Sequence, residues 1–183
     1  GGSGIVIVKE LDKASDIWSM SEQIDALDEG TWPKRTVDVD YMVVAGGASG
    51  ARADVGGGGG AGGYRASGYG PSPLQGSALE LSLGSYAVTV GAGGAAVGPS
   101  IPTTGLNGSN SVFSTITSAG GGGGGGGAAN SGGSGGGGGF NSAAGSGNTP
   151  PVDPPQGNDG GAGDSPPTGP AAGAGGGGGA TAA

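Results

Sequence analysis

Hydrophobic and polar positions alternate from Val37 to Tyr41. Val37, Val39, Tyr41 and Val43 fall on one face and Asp38 and Asp40 on the other, the period-two pattern of a half-buried strand continuing to about residue 45. The same pattern returns in "LELSLGSYAVTVG". Leu79, Leu81 and Leu83 alternate, then Tyr86, Val88 and Val90, and Gly84-Ser85 between them predicts a two-residue type II′ hairpin. Asn107-Gly108 carries a type I′ signal before a strand expected near residues 111–117. "GIVIVKE" (4–10) is a β-branched run bounded by Gly and predicts a further strand through Ile5, Val6, Ile7 and Val8. About five strands with antiparallel chemistry predict a mainly β fold, a small sheet or sandwich.

One stretch changes period. Ser19 followed by Glu22 is a capping box, Gly30 stands where a helix-ending glycine belongs, and Pro33 follows as a stop. A short helix is therefore predicted over about residues 20–29. Ile17, Met20, Ile24 and Leu27 form a narrow apolar stripe on it. A helix this short is marginal alone, so the stripe needs a partner surface, either the chain's own strands or another subunit. Trp18 and Trp32 flank the helix and are expected to pin it to the sheet.

Composition changes the picture. The 183 residues include 52 Gly and 12 Pro, a level that normally signals low complexity, while 33% are hydrophobic and 4% aromatic. Any apolar core must be local and small. Position argues against a tether, because the strands at 41–45, 86–90 and 112–117 each lead directly into a glycine-rich segment. Polyproline II suits Gly and Pro alike, with three residues per turn, a rise of ~3.1 Å and every backbone N–H and C=O pointing outward. Only Gly lets several such helices pack closely on all sides and exchange backbone hydrogen bonds. The run Gly120 to Gly127 would span about 25 Å in that form. The expected bundle draws on Gly56, Gly60, Gly120, Gly127, Gly135, Gly139, Gly175 and Gly179, which bound the runs. Ordering glycine costs about 1–2 kcal/mol per residue, so nearly every buried amide must find a partner.

Four sections follow: a strand at 1–10, a linker with the helix at 11–36, a glycine-rich β domain at 37–140, and a Pro/Gly-rich polyproline II extension at 141–183. The opening Gly-Gly-Ser-Gly suggests a section of a longer chain, a processed product or a fragment.

Charge and chemistry mainly exclude. Net charge is −8, with no basic cluster, which argues against nucleic acid and anionic membrane as partners. There is no Cys or His for thiolate or imidazole chemistry. No run of ~18 apolar residues occurs, so membrane insertion is not expected. Gly91, Gly93 and Ala96 formally match a dinucleotide fingerprint, but "VGPSIPTTG" cannot continue as the helix that would hold a pyrophosphate, so no cofactor is expected. Asp153, Asp159 and Asp164 have the oxygen ligands calcium takes, although a solvated turn explains them as well. Ser and Asp without a base do not make a hydrolase, and no catalytic residue is assigned. Tyr64, Tyr69 and Phe140 border glycine tracts and are expected to cap a bundle.

"DIWSMSEQIDALDEGTWP", "VDYMVVAGGASG", "GGGGGAGGYR", "YAVTVGAGGAA" and "NGSNSVFSTITSAGGGGGGGG" together resemble the glycine-rich domain of bacteriophage tail fibre and related virion or surface proteins, over roughly residues 4–140. The resemblance implies a non-enzymatic part of a fibre or adhesin, virion-borne or extracellular, with polyproline II bundles beside a β-sandwich. It also implies a strand like "SGIVIVRY" at the end of the domain, whereas here "GGSGIVIVKE" stands at the beginning. Residues 1–10 then finish a preceding copy or are contributed to a neighbouring subunit. The expected function is structural assembly, with the chain itself as partner in a homo-oligomer or serial filament, a trimer included. The alternatives are a receptor-binding tip for a bacterial surface and an ice- or polysaccharide-binding module.

Overall fold

A computed structural model describes residues 19–30, 32, 35–98, 104–164 and 172–180. Ile5 to Val8, Ile17 and Trp18 lie outside them. The fold is mainly β, with three small sheets and one short α-helix among the described residues. Helix α1 (Met20–Asp28) begins with the Gln23 N–H on the Ser19 carbonyl and ends at Gly30, whose φ of +68° is the left-handed turn expected of a helix-ending glycine. The Trp32 N–H then donates to the Ala26 carbonyl. Ala26 is buried, but Met20, Ile24 and Leu27 are 77%, 52% and 60% exposed, so the apolar stripe is not covered by the described residues.

The strand expected from 37 to 45 is two. β1 (Thr36–Val39) leaves to pair antiparallel with β5 (Leu79–Ser82), and β2 (Met42–Val44) pairs antiparallel with β3 (Tyr64–Ser67), which carries β4 (Gln75–Gly76) in parallel. The break falls at Asp40. Its carboxylate accepts the Ser67 hydroxyl, and that same hydroxyl oxygen accepts the Tyr41 N–H, drawing the chain from one sheet to the other. The third sheet is β6 (Val88–Thr89), β7 (Ser111–Phe113) and β8 (Ile116–Ser118), all antiparallel.

Two hairpin expectations are corrected. Gly84-Ser85 joins β5 and β6, which belong to different sheets, and Gly84 does not have the positive φ a type II′ turn requires. Asn107-Gly108 is no turn either, for Gly108 bonds to Gly121 within an extended segment. The hairpin lies instead inside the single strand expected at 111–117, where Ser114 (φ 52°) turns β7 into β8.

Glycine-rich segments fill the rest, and their hydrogen bonds repeat every third residue. Ala45, Ala48 and Ala51 donate to Gly63, Gly60 and Gly57, and these three donate to Ala119, Gly122 and Gly125. The partner's number falls as the donor's rises, so these pairs are antiparallel. Gly121 and Gly124 donate to Gly46 and Ser49, and Gly122 and Gly125 to Ser134 and Gly137; these run parallel. An antiparallel β-ladder bonds every second residue to a single neighbour on each side, so these segments are not strands. The bonds define one consistent set of directions. Segments 45–51, 119–125, 134–139 and 158–163 run one way, and 57–63, 105–109, 127–133, 142–148 and 173–179 run the other. β2 and β8 lead into segments of the first direction, and segments of the second lead into β3 and β7, so the strands lie at one end of the glycine layer.

Burial follows this layer. The buried apolar side chains are few and mostly small (Ala26, Tyr41, Val43, Ala45, Ala66, Leu81, Ala119), while residues 118–125 and 132–139 are buried without interruption. The centre of the molecule is made of main chain.

Candidate functional site

The segment Ala119–Gly125 is buried along its whole length. Every one of its amides donates. Ala119, Gly122 and Gly125 face Gln156 Oε1, the Ser134 carbonyl and the Gly137 carbonyl. Gly120 and Gly123 face Asn110 Oδ1 and Asn107 Oδ1, both at 2.9 Å, and Gly121 and Gly124 face the carbonyls of Gly46 and Ser49. The acceptors thus lie on three sides, each recurring at intervals of three. With every donor paired, the desolvation cost of burying a backbone amide, about 1–3 kcal/mol if left unmet, does not arise.

What the glycines contribute here is the missing Cβ. Among the described residues the left-handed glycines are Gly30, Gly62, Gly68 and Gly70, none of them in this segment. A Cβ on Gly121, Gly122, Gly123 or Gly124 would overlap the carbonyl of Gly60, Asn130, Gly105 or Gly57. Of the glycines expected to build a bundle, Gly60, Gly120, Gly135 and Gly175 meet the carbonyls of Ser134, Gly108, Gly145 and Gly161 in the same way. A Cβ on Gly56 or Gly139 would stand 2.9 Å or 2.7 Å from the carbonyl oxygen of Ala51 or Gly125. Gly127 has more room, a Cβ there meeting only the Ser142 hydroxyl at 3.9 Å, although its carbonyl accepts the Gly139 N–H, and Gly179 serves as the acceptor of Asn158 and of the Ser134 hydroxyl.

Polar side chains complete the lattice, among them Asn107, expected from its sequence to mark a turn. Asn107 and Asn110 stand in for backbone carbonyls, and Asn130 Nδ2 donates to Asn107 Oδ1. Buried Gln156 accepts from Ala119 and donates to the Pro150 carbonyl, tying residues 150–156 to the start of the central segment. Ser134 is fully buried and donates to the Gly62 carbonyl. Three-residue spacing was the available signal: Asn107 and Asn110 are three apart, as are the amides they serve.

Other candidates fall elsewhere. Asp159 accepts the Gly147 N–H and the Asp164 carboxylate lies beside Gly173, while Asp153 is exposed on the 149–156 loop; the three do not converge. Among the described residues no group of His, Cys, Asp or Glu is placed to hold a metal ion. Gly91 donates to the Ser111 hydroxyl and Gly94 to the Gly47 carbonyl, which makes the fingerprint stretch part of the glycine layer. Tyr64 is half-buried in β3, whereas Tyr69 and Phe140 are exposed. No helix among the described residues is long and apolar enough to cross a membrane.

Residues 26–183 match the profile described as "Glycine-rich domain". The chain belongs to that family. The match begins inside α1 and runs through all the glycine segments, so the sheets and the glycine layer of this glycine-rich domain fall within one family unit. No curated protein and no solved structure matches the chain.

Between the sheets of this glycine-rich domain lies an open apolar groove of about 380 Å³ lined by residues 39–44, 88–90 and 111–113. It runs along β2 and across β6 and β7. Met42, Val88 and Val90 stand on its walls, 63%, 67% and 83% exposed.

Proposed function

We propose that this glycine-rich domain is a non-enzymatic structural unit of a fibre or filament, of the phage tail fibre or related extracellular kind, in which a bundle of polyglycine II helices replaces an apolar core. One observation carries the reading, the three-residue repeat of hydrogen bonds between segments of alternating direction. Polyproline II has three residues per turn and no internal hydrogen bonds, so each helix offers its amides in turn to neighbours on three sides. The pattern around Ala119–Gly125 is of that form. Such a body has rigid walls, little titratable chemistry inside and strands gathered at one end, which suits a unit that transmits force and joins to others.

Self-assembly is the test. Sedimentation velocity over a wide concentration range, with electron microscopy of the same samples, should give particles that lengthen with concentration. A chain that remains monomeric at the highest concentrations overturns the filament reading.

A second reading has its own support. The turns 51–57, 125–129 and 139–142 join the segments at the end away from the strands, and Arg52, Asp54 and Phe140 are exposed there. A receptor-binding tip would use that end. Binding to bacterial cells that is lost when Phe140 and Arg52 are replaced, with the fold intact, would favour it.

A further inference from the structure

We propose that the groove between β2 and β6–β7 is the receptor for a β-strand formed by Ile5–Val8 of a second copy of the chain. Delivery by a second copy rests on the assembly reading above. The assignment of the groove stands on its own observations.

The first is that both walls end in unpaired edges. β2 closes the order β2-β3-β4 and β6 closes the order β6-β7-β8, and no other strand among the described residues pairs with either outer edge. Exposed edges of this kind accept another strand through their free N–H and C=O groups. The second is the lining. Met42 and Val44 on one side and Val88, Val90 and Phe113 on the other make the groove apolar on both walls. A strand seated there is buried on both faces and must read as an unbroken apolar run instead of an alternating one. Ile5-Val6-Ile7-Val8 is such a run, and it lies in the part of the chain that precedes the described residues. The strands β1, β2 and β5, by contrast, all include exposed residues.

The third observation is charge, and it sets direction. Lys9 follows the run immediately, and Asp40, which also accepts the Ser67 hydroxyl, lines the groove near the end farthest from the glycine layer. Placing Lys9 beside Asp40 makes the incoming strand antiparallel to β2, with Ile7 opposite Met42. The two runs match in length, residues 5–9 against 40–44.

The chain has no Cys, so engineered pairs can be read without background. Full-length Ile7→Cys and Met42→Cys chains would be prepared separately, mixed, and oxidised with glutathione disulfide. Each variant must first show wild-type protection of its glycine amides, so that a misfolded chain is not scored. The expected result is a disulfide-linked dimer in the mixture exceeding that formed by Ile7→Cys mixed with Arg52→Cys, whose thiol lies at the opposite end of the glycine layer. Absence of that excess overturns the groove assignment. A chain carrying both substitutions that closes a disulfide on itself at high dilution, as a monomer, overturns delivery by a second copy. Particles that still lengthen with concentration while Ile7 and Met42 fail to link would sink this inference and leave the filament reading standing. Linking without further growth would do the reverse.

Discussion

Two glycine runs of nearly the same composition behave differently in this molecule. Gly120–Gly125 is buried, bonds on three sides and has no room for a methyl group at its centre. Gly175–Gly179 lies at the margin. Gly175 and Gly178 donate to Gly138 and Gly135 and are equally crowded, but a Cβ on Gly176 would meet nothing within 4 Å. A glycine's importance here therefore depends on which way its Cα hydrogens point, at other main chain or at water.

The comparison is broken most directly by filling the inner run. Gly123→Val forces a side chain into the Gly105 carbonyl and should cost 3 kcal/mol or more on the order-of-magnitude scale of overpacked cores, read as a fall in the denaturant midpoint or failure to fold. Next comes loss of an acceptor without added bulk. Gln156→Leu strands the Ala119 amide and the Pro150 carbonyl and should cost about 2–3 kcal/mol in chemical denaturation. Asn107→Leu removes the acceptor of Gly123 and the partner of Asn130, at about 1–3 kcal/mol. The smallest effect belongs to the outer run. Gly176→Ala should change stability by less than about 1 kcal/mol, and in the stabilising direction through the unfolded chain's lost freedom. Equal and large losses from Gly176→Ala and Gly123→Ala in thermal denaturation would erase the distinction between the runs.

Much of this was legible in the sequence where ordinary rules apply. Ser19, Gly30 and the apolar spacing placed α1 within a residue of its end, and Leu79 and Leu81 placed β5. The order strand, then glycine segment, held after β2, β6 and β8. The failures share a cause. In most proteins Gly and Asn between strands mark a turn because they tolerate positive φ. Here Gly84 and Gly108 lack positive φ, and Asn107 is kept for a side-chain carbonyl that copies a backbone one. The real turn, at Ser114, uses a residue with no such signal. β3 was missed because Tyr64–Ser67 is short and lies directly after glycines, and its pairing with β2 is set by the approach of the 45–51 and 57–63 segments. Which glycines sit inside could not be read from runs of identical residues, since that depends on a three-residue phase fixed by neighbours far away in the chain.

Amide hydrogen exchange, resolved residue by residue by NMR, tests the central claim most directly. If the core is built from main chain, the amides from Ala119 to Gly125 exchange among the slowest in the molecule, through global unfolding, and more slowly than the strand amides of β1 and β5. Exchange of those amides at rates near those of an unstructured glycine chain would contradict the account.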